Sequence, residues 1–385
     1  MSKSRVLSIV LAAVMVMTAA LGAGANAPFK IGVVGPTTGP VATYGLSVID
    51  AVTMAAEEIN AKGGILGREV QLIIEDNKAD ATETNNAFRK LISRDQVHAI
   101  IGAVVTANSI VGGQVAQMMK VPMITATSTA EKVTQAGDYV FRACLIDPVQ
   151  GVIMANFAYN SLGVREVAVL TARTNDYSVG LEEVFVETFE GLGGKIVAKE
   201  SYSEGDQDFR AQLTKIRAQN PEAVYVPGYY TEAGLIAKQM RQLGMDQPIL
   251  GPDGFDSPKL FEIGGDAVYG SYFTNHYHPE AGDEVSQRFL DNYRAKYGKE
   301  PDGFAALGYD AALILFNAIE RAGDAALARN IAAARAAIRD EMAKTKDLHV
   351  VTGVLTLDEN RNPVKSAVIL KVVEGGYEFV ERVEP

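Results

Sequence analysis

The segment IGVVGPTTGPVATYG, Ile31 to Gly45, joins an apolar run that ends at Gly35 to a helical pattern that starts near Thr43. A strand that ends in glycine and leads into a helix places backbone N–H groups at the carboxyl edge of a sheet, where open α/β folds bind ligands. The turn lacks lysine and the G-x-x-x-x-G-K-[ST] spacing, so it does not predict a nucleotide phosphate site. Tyr44 places one large amphipathic side chain at this edge.

Short β-branched runs alternate with amphipathic helical patterns along the chain. This alternation predicts an α/β fold of parallel sheets with helices on both faces. The predicted strands are 31–34, 70–75, 99–102, 123–125, 167–171, 196–200, 223–227 and 249–251, followed later by 349–356 and 367–373. The predicted helices are 43–61, 81–95, 107–120, 147–161, 177–192, 207–219, 231–243, 284–297, 304–322 and 327–343.

Residues 1–25 have the pattern of a cleavable signal peptide. Lys3 and Arg5 precede an apolar run at 6–21, and small residues follow it. This run is shorter than the roughly 20 residues that a membrane span needs, so the pattern favours export over an anchor. The single cysteine, Cys144, lies far from the cleavage position, so we expect neither a lipid anchor nor an internal disulfide.

The 385 residues carry a net charge of −11. An acidic exported chain is a poor candidate for binding nucleic acid or anionic membrane surfaces. No segment after the signal stands out as apolar enough to span a bilayer, so we expect no membrane insertion. After cleavage about 360 residues remain, which is more than one ordinary core holds, and two lobes are expected.

Six segments carry a resemblance to a known family: GPTTGPVATYG, INAKGGILGREV, VPMITATST, NDYSVG, VPGYYTEAG and GPDGFDS. In this order and spacing, they resemble the periplasmic branched-chain amino-acid binding proteins, the type I solute-binding components of ABC importers. The resemblance implies two Rossmann-like lobes with parallel central sheets, joined by three crossovers, with the ligand in the cleft between them. It places lobe one at 28–147 plus 276–354, and lobe two at 148–275 plus 355–385.

The same resemblance implies a periplasmic monomer that binds a small amino acid, needs no cofactor or metal and docks transiently onto a membrane permease. It predicts no nucleic-acid partner. The predicted function is binding of an aliphatic, branched-chain type of amino acid by hinge closure.

Two strand-to-helix turns carry hydroxyl groups suited to a ligand carboxylate. Thr106 precedes one predicted helix, and Thr127 and Thr129 lie in the turn after the strand 123–125. Hydroxyls and N–H groups at helix N-termini bind anions without a positive side chain. The alternative is capping, since Ser128 and Glu131 have capping-box spacing and Thr106 can itself be an N-cap. The resemblance implies that Thr106, Thr129 and, partly through its backbone, Thr127 contact the carboxylate.

Asp253 is the candidate partner for a ligand ammonium group. It follows a predicted buried strand and stands between Pro252 and Gly254, a position that directs a carboxylate into the crevice. Alternatively, it is a turn residue that bonds its own backbone. The resemblance implies the ammonium role, but the family usually has glutamate here, which is one methylene longer, so the identity of the ligand stays open.

Tyr44, Tyr177 and Tyr229 match family positions that line the cleft. The resemblance implies that Tyr177 and Tyr229 present their rings to the ammonium, for about 0.5–2 kcal/mol each as cation–π contacts. It implies that Tyr44 covers the ligand side chain and that Val104 forms an aliphatic wall. Tyr230, the neighbour of Tyr229, is expected to point elsewhere, and a lone tyrosine is more often half-buried packing than a ligand contact.

The sequence lacks the G-x-S-x-G and H-E-x-x-H motifs and paired cysteines, so it does not predict an enzyme. His276 and His278 are spaced to share one face of a strand, but without a third ligand they indicate a surface or crossover role rather than a metal site. Two alternatives remain open. The same fold could bind another small acid or amide, such as a γ-amino acid or an aromatic carboxylate, or the chain could be a secreted enzyme on a doubly wound fold.

Overall fold

The computed structural model describes residues 27–384, so the predicted signal peptide at 1–25 lies outside the described residues. The N-terminal part forms a parallel five-stranded sheet in the order β2-β1-β3-β4-β5. Its elements are β1 (Phe29–Gly35), α1 (Ala42–Ala61), β2 (Val70–Asp76), α2 (Ala81–Arg89), β3 (Ala99–Gly102), α3 (Thr106–Met119), β4 (Met123–Thr125), α4 (Lys132–Gln135) and β5 (Val140–Arg142).

The turn between β1 and α1 depends on a close backbone approach. A Cβ atom on Gly45 would lie 1.9 Å from the carbonyl oxygen of Pro36, so a larger residue would push α1 off the end of the strand. The glycine therefore holds Tyr44, its neighbour, at the carboxyl edge of the first sheet.

The middle of the chain forms the second half of the protein, a second sheet with its own helices. Its elements are α5 (Asp147–Asn156), β6 (Glu166–Ala172), α6 (Asp176–Gly191), β7 (Lys195–Tyr202), α7 (Arg210–Ala218), β8 (Ala223–Tyr225), α8 (Tyr230–Gln242), β9 (Ile249–Gly251), α9 (Pro258–Gly264) and β10 (Tyr272–Asn275). The strands β10, β9, β8, β6 and β7 lie side by side and parallel.

The last third of the chain returns to the first half and then to the second. It comprises α10 (Glu284–Tyr297), α11 (Gly303–Ala322), α12 (Ile331–Met342), β11 (Leu348–Val350), β12 (Gly353–Leu357), β13 (Pro363–Val364), β14 (Ala367–Val373) and β15 (Gly376–Val383). Helix α11 packs along α1, while β14 and β15 extend the second sheet antiparallel beyond β10. The chain thus passes between the halves three times, and the two-lobed α/β fold is as predicted. The residue bounds of the lobes stay a prediction.

One segment departs from the expectation that nothing after the signal is long and apolar enough to span a bilayer. Helix α11 with its following turn, Gly303–Ala325, passes that test by length and composition, but 83% of its most apolar window is buried inside the fold. A helix that is apolar all round is buried either in lipid or in protein, and here it is a core helix.

Four strands were not predicted: β5, β10, β13 and β15. The predicted strand at 349–356 is two strands, β11 and β12. The predicted helices 81–95 and 147–161 each end in a single π turn, at Lys90–Arg94 and Phe157–Ser161.

Candidate functional site

A small cavity between the two halves is lined by residues from both. The first half contributes Tyr44, Val104, Val105, Thr106, Thr127 and, from α11, Phe304, and the second half contributes Tyr177, Tyr229, Asp253 and Gly254. Seven of the eight candidate site residues therefore lie together, and Thr129 is the exception. The cavity measures about 10 Å³, which is room for one water molecule at most.

The cleft is closed by hydrogen bonds that cross its mouth. The phenol of Tyr44 donates to the carbonyl of Gly254, and the N–H of Gly303 donates to Oδ2 of Asp256 at 2.7 Å. Three more such bonds are those from Tyr230 to the carbonyl of Pro40 at 2.8 Å, from Thr231 to the same carbonyl at 3.2 Å, and between Thr43 and Ser257 at 3.0 Å. Since these bonds join side chains and backbone of different halves, opening the cleft must break them.

The loop after β3 is held in a strained conformation at Val104. Its φ of 81° lies in the left-handed region, which a β-branched residue adopts only when its surroundings enforce it. Its carbonyl accepts hydrogen bonds from Thr127 at 2.7 Å and from Ser128 at 2.8 Å. The capping-box expectation for Ser128 is wrong, because helix α4 begins only at Lys132 and the Ser128 hydroxyl instead bonds Val104 and Ser109.

Thr106 is the first residue of α3, and its side chain is buried against the cavity. No side chain caps the N-terminus of α3 in the described part of the chain. The first-turn N–H groups of a helix have no intrahelical partners and carry partial positive charge, so this wall suits an anion. None of the described residues that line the cavity is cationic, so hydroxyl and N–H groups alone would hold that anion.

Thr129 lies behind this wall rather than in it. Its carbonyl accepts the N–H of Asp147 at 3.0 Å, and its side chain is fully buried. Within residues 27–384, neither the Thr129 hydroxyl nor the Asp147 carboxyl oxygens have a hydrogen-bond partner within bonding distance. Burial raises the pKa of Asp147 well above its usual range, and the nearby Thr129 hydroxyl only partly opposes this. The pair is thus a buried acid with a hydroxyl beside it, next to the cleft.

On the opposite wall, Asp253 is 2% exposed and held by side chains rather than by its own turn. Its Oδ1 accepts from the Tyr177 phenol at 2.5 Å, and its Oδ2 lies 2.9 Å from Nε2 of His276. Its N–H donates to Oε1 of Gln150 at 3.2 Å. Burial, and then the Asp253 carboxylate, raise the pKa of Tyr177 well above its usual value, so the phenol stays protonated and donates. This leaves an oriented carboxylate at the cavity wall.

Aromatic rings enclose the rest of the cavity. Tyr44 stacks on Phe304 with centroids 4.1 Å apart, and Tyr177 stacks on Tyr229 at 5.2 Å. Tyr44 also meets Tyr229 edge-on at 5.8 Å, so the rings of both halves interlock. Tyr230 does not line the cavity and packs edge-on against Tyr44 at 4.9 Å, at the mouth.

Two residues that matter here were missed in the sequence. Phe304 lies near the start of α11, and in the sequence it is only one of many apolar residues in a helical pattern. His276 lies in a crossover, one of the two expected places, but it is 4% exposed and its contact with Asp253 was not foreseen. The described residues contain no group of three or more His, Cys, Asp and Glu side chains arranged for a metal ion.

Comparison with known proteins gives a family and close structural likenesses. The family model described as "Periplasmic binding protein" matches residues 28–376. A Leu/Ile/Val-binding protein of Rhizobium johnstonii is 32% identical over 325 residues, which cover 84% of this chain and 88% of that protein. The crystal structure of the leucine-binding protein LivK of Thermotoga maritima superposes with a TM-score of 0.87 at 43% identity, covering 92% of this chain and 99% of that one. The substrate-binding protein LivJ of Streptococcus pneumoniae, solved with isoleucine, gives 0.86 at 34% identity, covering 93% and 100%.

Proposed function

We propose, from the premise that this chain belongs to the periplasmic binding protein family, that it is the solute-binding component of an ABC importer and binds an aliphatic, branched-chain type of amino acid. The protein is a binding protein and not an enzyme, as its relatives are. We further propose that it acts as a monomer in the periplasm, is exported by the signal at 1–25, and delivers its ligand to a membrane permease.

The observation that carries this proposal is the complementarity of the two walls. The wall at Thr106 offers hydroxyl and helix N–H groups without positive charge, and the wall at Asp253 offers a buried carboxylate. A free α-amino acid carries its carboxylate and its ammonium on the same carbon atom, so one small zwitterion satisfies both walls. An amine-free acid leaves the buried Asp253 carboxylate without a counter-charge.

The pocket for the ligand side chain is lined by aliphatic and aromatic residues. Val104, Tyr44 and Phe304 form its first-half surface, and the stacked pair of Tyr177 and Tyr229 faces them. Burying a leucine-sized side chain there contributes about 1.5–3 kcal/mol. The rings of Tyr177 and Tyr229 also lie on the Asp253 side, where an ammonium would meet their faces.

Binding requires the two halves to open and close again. A cavity of about 10 Å³ does not admit an amino acid, so the ligand enters an open form and the lobes then close around it less tightly than here. The Tyr44 hydroxyl must leave the carbonyl of Gly254 to make this room. The liganded closed form would then be the state that a permease distinguishes from the open one.

A thermal-shift panel tests the proposal on protein that has been unfolded and refolded to strip bound ligand. We expect leucine, isoleucine and valine to raise the melting temperature, since a ligand that binds only the folded state stabilises it. The amine-free acid 4-methylpentanoate should not. A larger shift with an aromatic carboxylate or a γ-amino acid would favour the other small acids instead.

A further inference from the structure

His276 holds the carboxylate that we assign to the ligand ammonium. It is the first residue after β10, where the chain leaves the second sheet for α10, and its ring is buried. Its Nε2 atom lies 2.9 Å from Oδ2 of Asp253, while the Tyr177 phenol lies 2.5 Å from Oδ1. Each carboxylate oxygen therefore has one protein partner, and the two partners come from different elements.

The protonation state of the ring follows from its surroundings. Burial lowers the pKa of His276, so the imidazole is neutral, although the Asp253 carboxylate opposes this shift. Asp253 accepts, so the single ring proton is on Nε2. The other ring nitrogen, Nδ1, is buried and has no hydrogen-bond partner among residues 27–384. A neutral donor orients the carboxylate without cancelling its charge.

The backbone that carries the ring is itself fixed. The N–H of His276 donates to the side-chain carbonyl of Asn275 at 2.7 Å, and the Asn275 amide donates to Oδ2 of Asp256, also at 2.7 Å. The same Asp256 oxygen accepts the N–H of Gly303 at the start of α11. A continuous set of hydrogen bonds thus runs from Asp253 through His276 to a helix of the first half.

We propose that His276 is a positioning residue for ligand binding, whose Nε2–H holds the Asp253 carboxylate in the orientation that the ligand ammonium group meets. The inference rests on the proposed function. A carboxylate has about four acceptor positions, so two partners leave room for an ammonium while removing rotation of the group. Orientation before binding increases affinity, because the ligand does not have to order the carboxylate itself.

Calorimetric titration of the purified, ligand-stripped protein with L-leucine tests this role in three variants. His276→Leu removes the donor, and we expect leucine affinity to fall by about ten- to a hundredfold, as for a hydrogen bond to a charged group. His276→Gln keeps an N–H donor without a titrating ring, and we expect it to restore affinity to within about threefold of the parent. His278→Leu, two residues along and half-buried, is the matched control and should bind like the parent protein.

The outcomes separate the two proposals. If the parent protein binds no amino acid, the proposed function fails and the role of His276 fails with it. If the parent binds leucine and His276→Leu binds equally well, or if His276→Gln is as weak as His276→Leu, only the positioning role is overturned.

A second measurement does not depend on how the variants fold. The ¹⁵N chemical shifts of the His276 ring in the parent protein report which nitrogen carries the proton. We expect the tautomer with the proton on Nε2 at neutral pH. A proton on Nδ1 alone would contradict the proposal, since Nε2 would then have nothing to donate to Asp253.

Discussion

The phenolic oxygen of Tyr177 lies 2.5 Å from Oδ1 of Asp253, and both side chains are buried in the same half of the protein. Tyr177 is the second residue of α6, and Asp253 follows β9, so their bond does not cross the cleft. Opening of the lobes therefore leaves it intact. The carboxylate is oriented before a ligand arrives, which lowers the cost of ordering it on binding.

Tyr177→Phe should weaken leucine binding about tenfold or more, because it removes a hydrogen bond to a charged group while keeping the ring. Calorimetric titration of the ligand-stripped protein measures the change. Tyr269→Phe, at an exposed tyrosine, is the control and should bind like the parent. Unchanged affinity in Tyr177→Phe would show that the phenol does not orient Asp253.

Tyr230→Phe should speed leucine dissociation a few-fold and leave association unchanged. The variant loses the 2.8 Å bond from Tyr230 to the carbonyl of Pro40, which exists only when the mouth is closed. One neutral hydrogen bond contributes about 0.5–1.5 kcal/mol, so the effect is modest. Stopped-flow tyrosine fluorescence can follow it, since the chain has 15 tyrosines and no tryptophan. A slower association with unchanged dissociation would contradict the assignment of this bond to the closed state.

His98 should make the protein sensitive to acid. Burial lowers the pKa of His98 to about 4, against an unfolded value near 6.5, and its Nδ1 accepts the N–H of Lys30 at 3.1 Å. The unfolded chain binds the proton first, so this contribution is complete above about pH 6.5 and is lost as the pH falls towards 4. His98→Asn should remove about 1–3 kcal/mol of the acid-induced loss in the free energy of unfolding.

Urea unfolding of His98→Asn and of the parent at several pH values measures that difference. His349→Asn, at an exposed histidine, is the control and should follow the parent curve. If the free energy of unfolding falls equally with pH in His98→Asn and the parent, His98 does not cause the acid sensitivity.

Asp256 should give the free energy of unfolding the opposite pH dependence. Its carboxyl is fully buried, and burial, followed by the nearby Asp302, raises the pKa of Asp256 above its usual range. The folded state thus keeps a proton that the unfolded chain loses near pH 4, so stability falls as the pH rises from about 4. Asp256→Asn should flatten this decline in urea unfolding of ligand-free protein. Asp266→Asn, at an exposed aspartate, is the control and should decline as the parent does. A decline that stays equally steep in Asp256→Asn would contradict the raised pKa of Asp256.

Much of the fold was predictable because its strands are short β-branched runs with clear ends. Strands β3, β4, β9 and β14 and helix α10 begin and end where the sequence pattern places them. Strands β5 and β10 were not predicted, and their length of three and four residues does not explain this, because β4, β9 and β3 are equally short. The hairpin of β14 and β15 did have a signal, the two-residue turn Glu374-Gly375, which was overlooked.

The division of 349–356 into two strands has a tertiary cause. The N–H groups of Val351 and Thr352 donate to the buried carboxylate of Asp310 on α11, at 2.7 and 3.3 Å. These two residues therefore leave the strand ladder and separate β11 from β12. A residue some forty positions earlier in the chain decides this, and local β propensity does not reveal it.

The site was predictable only where strand ends define it. Tyr44, Thr106, Thr127 and Asp253 follow β1, β3, β4 and β9, and the carboxyl ends of parallel strands meet at one edge. Phe304 and His276 reach the cleft from the start of α11 and from the connection after β10. Their position depends on where the chain crosses from one half to the other, and the hydrophobic periodicity of the sequence does not show this.

The most direct test of the central claim compares leucine binding by the parent protein, Asp253→Asn and the exposed control Asp246→Asn, by calorimetric titration after ligand removal. We expect Asp253→Asn to lose about a hundredfold or more in leucine affinity, because the bound ammonium then lacks a buried counter-charge, while Asp246→Asn binds like the parent. Leucine binding by Asp253→Asn that equals the parent would show that Asp253 does not pair with the ligand ammonium.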